Sequence, residues 1–232
     1  DEDLARCDLL IPALYPEATI EFLRRAIPLM KRGAQVVDLV GVKQRLVEEI
    51  TPLALACGVR YTGGHPMAGL ARAGYERSTP DLFQGASMVL VPTAATEVGD
   101  LMELGALFRK LGFARIKFCT PQVHDRMIAY TSQLPHVMSN SYVKSPAAGE
   151  QEGFAGGSCR DMSRTACLNE RMWTELFLLN RKHLLPEIDC LLASMEELRA
   201  ALEEGDAAEL ERLLRRGRED REKALAANCP GA

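Results

Sequence analysis

The 232-residue chain carries a formal net charge of −4, with 47% hydrophobic and 26% charged residues, an ordinary balance for a soluble globular protein of one or two domains. Nothing in it gives the basic footprint of a nucleic-acid binder, and no apolar run approaches the ~20 residues that span a bilayer, so neither nucleic acid nor membrane is an expected partner. Seven cysteines, odd in number and without CxxC spacing, and four histidines (65, 124, 136 and 183) without a ligand pair point to reduced thiols in a cytoplasm and to no metal site.

In chain order, Cys7-Asp8-Leu9-Leu10-Ile11-Pro12 reads as a strand and Glu17 to Lys31 as a helix that Pro28 bends or shortens. Gln35 to Leu39 reads as a buried strand. Gly41 opens a helix from Lys43 to Ala56, whose Lys43, Arg45 and Glu48 face reads as solvated. Gly58 to Tyr61 is β-type and leads into Gly63-Gly64-His65-Pro66-Met67-Ala68-Gly69. The glycines allow a tight turn and close approach to a bound molecule, and Pro66 restricts His65 to an extended backbone. The stretch from Met67 to Gln84 reads as irregular. Ser87 to Val91 is a strand, Glu97 to Leu111 an amphipathic helix and Arg115 to Phe118 a last strand. Strands alternating with helices imply a largely parallel, doubly wound sheet.

At Thr120-Pro121 the pattern changes. Threonine at the N-cap with proline in the first helical position is a helix start, and no strand pattern comes after it. Pro135 falls inside that helix, where its missing N–H kinks the chain and exposes carbonyls beside Ser132, Gln133 and His136. Residues 147–158 read as a glycine-rich loop, and a further helix carries Trp173, Leu176, Phe177 and Leu179. Leu184, Ile188, Leu191, Met195, Leu198 and Leu202 form an a/d-type seam on another helix. Gly205-Asp206 ends it, and Asp206 with Glu209 starts a final helix. The last ~15 residues, charged and then small, read as a frayed end.

Three polar clusters could carry chemistry, each with a plainer alternative. His65 is a strand-end imidazole or a capping group in a turn. Ser132, Gln133 and His136 share about one helical turn, as a site or as local hydrogen bonding. Arg160 and Arg164 come after a glycine loop, suited to holding carboxylates or to surface ion pairs such as Arg164 with Glu170. His124 reads as a capping residue, His183 as surface, and Trp173 as core or interface. Together the clusters describe a small, anionic, polar substrate.

The same residues resemble the prephenate dehydrogenase family of tyrosine biosynthesis. The likeness runs through Asp38-Leu39-Val40-Gly41-Val42-Lys43, Gly63 to Gly69, Asp81-Leu82-Phe83, His124-Asp125-Arg126, Thr131-Ser132-Gln133-Leu134-Pro135-His136, Gly157 to Arg164 and Met172-Trp173. The resemblance implies an α/β then all-α fold: a partial Rossmann-type dinucleotide-binding domain over 1–119 and a helical substrate-binding and dimerisation domain over 120–232. It further implies oxidative decarboxylation of prephenate to 4-hydroxyphenylpyruvate, with hydride passing to NAD, or to NADP. His65 would be the catalytic group that polarises the substrate hydroxyl. Arg164 would bind a substrate carboxylate, with His136, Ser132, Gln133 and Gly157 around the substrate. Ala13, Leu14, Thr19, Asp38 and Gly41 are the expected cofactor-side contacts.

Many relatives have serine at the Gly41 position and histidine at the Gln133 position. No GxGxxG occurs anywhere in the chain, whereas the family carries it on its first strand–turn–helix. The chain is therefore expected to start at a later strand and to lack the pyrophosphate cradle. Alternatives from the same residues are an arogenate dehydrogenase, a non-catalytic dimeric metabolite-binding module, and a 3-hydroxyacid dehydrogenase with Lys144 as the catalytic lysine.

Overall fold

The computed structural model describes residues 2–69, 76 and 78–228. After a short helix α1 (Glu2–Arg6), strand β1 (Leu9–Leu10) leads through α2 (Pro16–Ala26) to β2 (Gln35–Val37). A second crossover, α3 (Gln44–Cys57), leads to β3 (Arg60–Pro66). Strand β4 (Ser87–Pro92) is joined through α4 (Val98–Lys110) to β5 (Arg115–Phe118). The strands lie in the order β1-β2-β3-β4-β5. Every pairing is parallel except β3 with β4, where His65 lies opposite Val89.

Both faces of the sheet are covered, which is why its strands read as apolar runs. Successive side chains alternate between faces. Val36 joins Ile20, Leu23, Leu46, Ile50 and Tyr61 under α2 and α3. Its neighbour Val37 joins Met88, Leu90, Leu104, Phe108 and Phe113 under α4. Pro28 has the expected effect: α2 stops at Ala26 and continues only as a 3₁₀ turn, Ile27–Leu29.

The glycine pair departs from the turn that its sequence suggests. Gly63 and Gly64 lie inside β3, in extended backbone, and the chain does not turn there. What needs them is close approach by the protein itself. A Cβ on Gly64 would sit 2.5 Å from the Asp38 carbonyl oxygen, and one on Gly63 would sit 3.0 Å from Lys43 Cδ. Of the irregular stretch expected over 67–84, residues 70–75 and 77 lie outside the described residues.

From Thr120 the chain is helical, with no further strand among the described residues. Thr120 caps α5 (Pro121–Ile128), its Oγ1 accepting the Val123 N–H at 3.3 Å. The Pro135 kink takes the form of a π-turn, Ala129–Gln133, before α6 (Leu134–Tyr142). Pro135 has no N–H to give, and the widened turn is closed by the Leu134 N–H donating to the Ala129 carbonyl. A 3₁₀ turn (Pro146–Glu150) and α7 (Gly157–Ser163) occupy much of the expected glycine-rich loop and the residues after it, and α8 (Glu170–Leu179) comes next.

The chain divides into two compact units, residues 1–184 and 185–232. Helix α9 (Arg181–Glu204) supplies the end of the first and the start of the second, and α10 (Ala207–Asn228) completes the second. Asp206 Oδ1 accepts the Glu209 N–H at 2.9 Å, as the capping pattern predicts. The end expected to fray is helical as far as Asn228, laced by pairs such as Arg218–Glu222 at 2.7 Å. In the second unit Ala201 and Leu213 are buried, while Leu192, Met195, Leu202 and Leu214 are exposed. No helix among the described residues is long and apolar enough to cross a membrane.

Candidate active site

The loop after β2, the carboxyl end of β3 and the first turn of α5 meet around His65. His65 Nδ1 is 2.9 Å from His124 Nε2, and His124 Nδ1 is 2.7 Å from Asp125 Oδ1. The order of donors is set by the end that cannot donate. An ionised Asp125 only accepts, so His124 Nδ1 carries a proton. In neutral His124, Nε2 is then an acceptor, so His65 Nδ1 carries the proton toward it. His65 Nε2 is left with its lone pair free, beside Gly41, where a Cβ would lie 3.6 Å away. Three groups in a row thus aim one basic nitrogen at one spot.

Asp125 is held in turn. Its Oδ1 accepts the Lys43 N–H at 2.7 Å and its Oδ2 the Gln44 N–H at 2.9 Å, while Asn180 Nδ2 donates to its carbonyl at 2.9 Å. The His65 imidazole is held well below its ordinary pKa, by burial first and then by His124 and Lys43. Burial lowers His124 as well, opposed by its bond to Asp125. Both rings are therefore neutral at pH 7, as acceptance through Nε2 requires.

A second cluster lies along α6, α7 and α8. His136 stacks on Trp173 with ring centroids 3.8 Å apart. Its Nδ1 donates to the Ser132 carbonyl at 2.8 Å, so the kink does present a carbonyl and a side chain of the same turn uses it. Arg164, exposed at the end of α7, lies close enough for its charge to help lower the His136 pKa, after burial. Helix α8 ties the two clusters together. Trp173 faces His136, and Leu176, one turn later, faces Gly41 at 3.2 Å from a Cβ built there. Tyr15 Oη accepts from Asn169 Nδ2 at 3.1 Å, joining the loop after β1 to the start of α8.

Several expected site residues are placed otherwise. Gln133 is buried rather than turned to a pocket: its Nε2 donates to the Leu176 carbonyl at 3.2 Å and its Oε1 accepts from Asn180 at 2.7 Å. Thr19 is fully buried, with Oγ1 on the Leu14 carbonyl at 3.2 Å, and Asp38 is fully buried in an ion pair with Lys43. Both side chains are occupied by partners within the protein. Lys43 itself, read as solvated, has no exposed side chain. His124, read as a cap, is the middle of the hydrogen-bonded series, and His183, read as surface, bonds Gln44 Oε1 at 2.6 Å. Ser132 is half-buried and Gly157 exposed at the start of α7.

Ala13 and Leu14 are exposed just beyond β1, and Gly41 is half-buried between Leu176 and His65, where a Cβ would lie 3.2 and 3.6 Å from them. All three follow the carboxyl ends of parallel strands, the edge of an α/β sheet where a nicotinamide ring would be received. Among the described residues no group of three or more His, Cys, Asp or Glu converges to hold a metal ion.

Family models match nearly the whole chain. The prephenate dehydrogenase nucleotide-binding domain matches residues 1–117 and the prephenate dehydrogenase dimerization domain residues 120–216. The chain belongs to the prephenate dehydrogenase family. A cyclohexadienyl dehydrogenase of Zymomonas mobilis is 30% identical over 148 residues, 61% of this chain and 50% of that protein. A prephenate dehydrogenase of Bacillus subtilis is 27% identical over 192 residues, 81% of this chain and 51% of that one. The chain thus spans about half the length of these curated relatives.

Among solved structures, prephenate dehydrogenase from A. aeolicus in complex with hydroxyphenyl propionate and NAD+ superposes with a TM-score of 0.79 at 25% identity. That match covers 94% of this chain and 76% of that one. The Synechocystis arogenate dehydrogenase gives 0.79 at 27% identity, covering 97% and 82%. The prephenate dehydrogenase family fold is therefore the α/β sheet and the helices after Thr120 described above.

Proposed function

We propose that this chain is the catalytic part of an NAD-dependent prephenate dehydrogenase, converting prephenate to 4-hydroxyphenylpyruvate and carbon dioxide. The observation that carries the reading is the series Asp125–His124–His65, which leaves one basic nitrogen free beside Gly41. NAD, when bound, supplies the hydride acceptor, with Ala13, Leu14 and Gly41 as the residues to hold it.

The rest is done by the chain's own groups. His65 Nε2 accepts a hydrogen bond from the ring hydroxyl of the substrate. As the carbon bearing that hydroxyl loses hydride, the hydroxyl proton moves onto Nε2. The charge that develops on His65 is stabilised through His124 by Asp125, a fixed anion already in place. Loss of the ring carboxylate as carbon dioxide makes the ring aromatic, and His65 returns the proton to the phenolic oxygen. Arg164 pairs with a substrate carboxylate, and His136, held flat against Trp173, bounds the same pocket with Ser132 and Gly157. The division of labour is a dinucleotide-binding domain over 1–119 and a substrate-binding, dimerising domain over 120–232; family models that meet between 117 and 120 support it.

The exposed leucines of the second unit support a homodimer through the helical domain, and the odd number of cysteines without CxxC spacing supports a cytoplasmic enzyme. The test is NADH formation with prephenate and, separately, with arogenate, by this chain and by the full gene-encoded protein. Prephenate-dependent NADH with release of carbon dioxide is expected. Turnover of arogenate alone would reassign the substrate, and binding of prephenate without turnover in either protein would favour the metabolite-binding module.

A further inference from the structure

Lys43 precedes α3 at its N-terminus with a side chain that is 0% exposed. Its ammonium is paired with Asp38. The same carboxylate accepts the Val40 N–H at 2.9 Å and the Tyr61 hydroxyl at 2.8 Å. Removing two charges from water costs several kcal/mol per ion before their attraction offsets it, and apolar side chains of similar volume often serve as well or better. Packing alone is thus a weak reason for a lysine here.

Its position offers a stronger one. The methylenes cross Gly63, with Cδ 3.0 Å from where a Cβ would be, two residues before His65 and on the same face of β3. The Lys43 main-chain N–H donates to Asp125 Oδ1, the oxygen that holds His124. One residue thus engages the strand that carries His65 and the carboxylate at the far end of the series.

We propose that Lys43 is a positioning residue for His65: its main-chain N–H fixes Asp125, and its buried side chain, paired with Asp38 and laid across Gly63, sets the packing and the charge behind the strand that presents His65. The charged and titratable groups around the pair are Asp38 after β2, Tyr61 on β3, and His124 and Asp125 on α5. Asp125 and Asp38 both favour a protonated His124. Tyr61 stays neutral, its hydroxyl pushed well above the usual range by burial and by Asp38. Lys43 opposes the two carboxylates. It acts in the lowering direction on both rings, after burial. Burial draws its own pKa down while Asp38 supports the charged form. With the ammonium gone, a protonated His65 would have no lone pair to offer.

The proposal rests on reading His65 as the base, and its test needs no turnover. Imidazole NMR titrations would compare the native 232-residue chain with Lys43→Met and with Lys43→Met/Asp38→Asn. The double variant removes the buried carboxylate that the single change leaves unpaired. His65 is expected to protonate at higher pH in both variants than in the native chain. A double variant that folds with the His65 titration unmoved, or one that no longer folds, would assign Lys43 a structural role and overturn the proposal. Failure of the native protein to form NADH would overturn the dehydrogenase reading and leave the titration result standing.

Discussion

Asp125→Asn removes one charge and almost no volume, so its effect is confined to the hydrogen bonds and the field of one carboxylate. Asp125 accepts three hydrogen bonds, from Lys43 N and His124 Nδ1 at 2.7 Å on Oδ1 and from Gln44 N at 2.9 Å on Oδ2. An asparagine has one accepting oxygen. Its better orientation keeps the first two bonds and turns its NH₂ against the Gln44 N–H, donor against donor. One bond is lost and a largely buried donor stranded, about 1–3 kcal/mol. The two remaining bonds lose their ionic character, roughly another 1–2 kcal/mol together. The total, about 2–5 kcal/mol, should appear as a lower urea midpoint with an unchanged m-value.

The kinetic effect is separate. Without the anion, the charge that forms on His65 is no longer stabilised, so turnover should fall about 10²- to 10³-fold. The Michaelis constant should hardly move, because Arg164, proposed to bind a carboxylate, and the His136–Trp173 stack are not contacts of Asp125. Steady-state kinetics of the full gene-encoded protein and urea denaturation of this chain supply the two readouts. Native turnover in a variant that is destabilised as predicted would refute the idea that the series serves chemistry.

Three further outcomes are expected. Gly64→Ala would drive a Cβ to 2.5 Å from the Asp38 carbonyl oxygen and 2.8 Å from Met88 Cε, so a loss of about 3 kcal/mol or more by urea denaturation is expected; a neutral result would mean that β2 and β3 separate easily. Arg164→Ala should raise the Michaelis constant for prephenate about 10- to 100-fold, the lower end of charged-pair losses because the side chain is exposed; an unchanged constant would remove it from the site. Stability should also depend on pH through the histidines. His65, His124 and His136 all have folded pKa values below the ordinary imidazole value of 6.5, so the unfolded chain binds more protons between the two values and stability falls as pH drops below about 6.5. Urea midpoints compared above and below that pH test this, and His65→Asn should flatten the dependence.

The parts of this molecule that were legible in its sequence are those set by neighbours in the chain. Thr120 with Pro121, Asp206 with Glu209 and the alternation of strands with helices are local patterns, and the structure repeats them. The Pro135 kink was legible as a break but not as a π-turn. That turn changes which way Gln133 faces, burying it against Leu176 and Asn180 while His136 beside it stays half-exposed. What could not be read are the pairings across the fold. A lysine at the start of a helix whose next turn carries Arg45 and Glu48 looks solvated until the close pass of β3 seals Lys43 over Gly63. His124 looks like a cap until His65, 59 residues away in sequence, is placed on it. The glycine pair showed that something must approach closely without showing that it is the exit of β2.

The most direct test of the account is the turnover of prephenate with NAD by the full gene-encoded protein and by its His65→Ala variant, with arogenate as the comparison substrate. The account predicts prephenate-dependent NADH formation that falls about 10²- to 10⁴-fold in the variant, the usual range for a positioned acid or base, with binding of prephenate retained. Near-native turnover in a folded His65→Ala protein would contradict it.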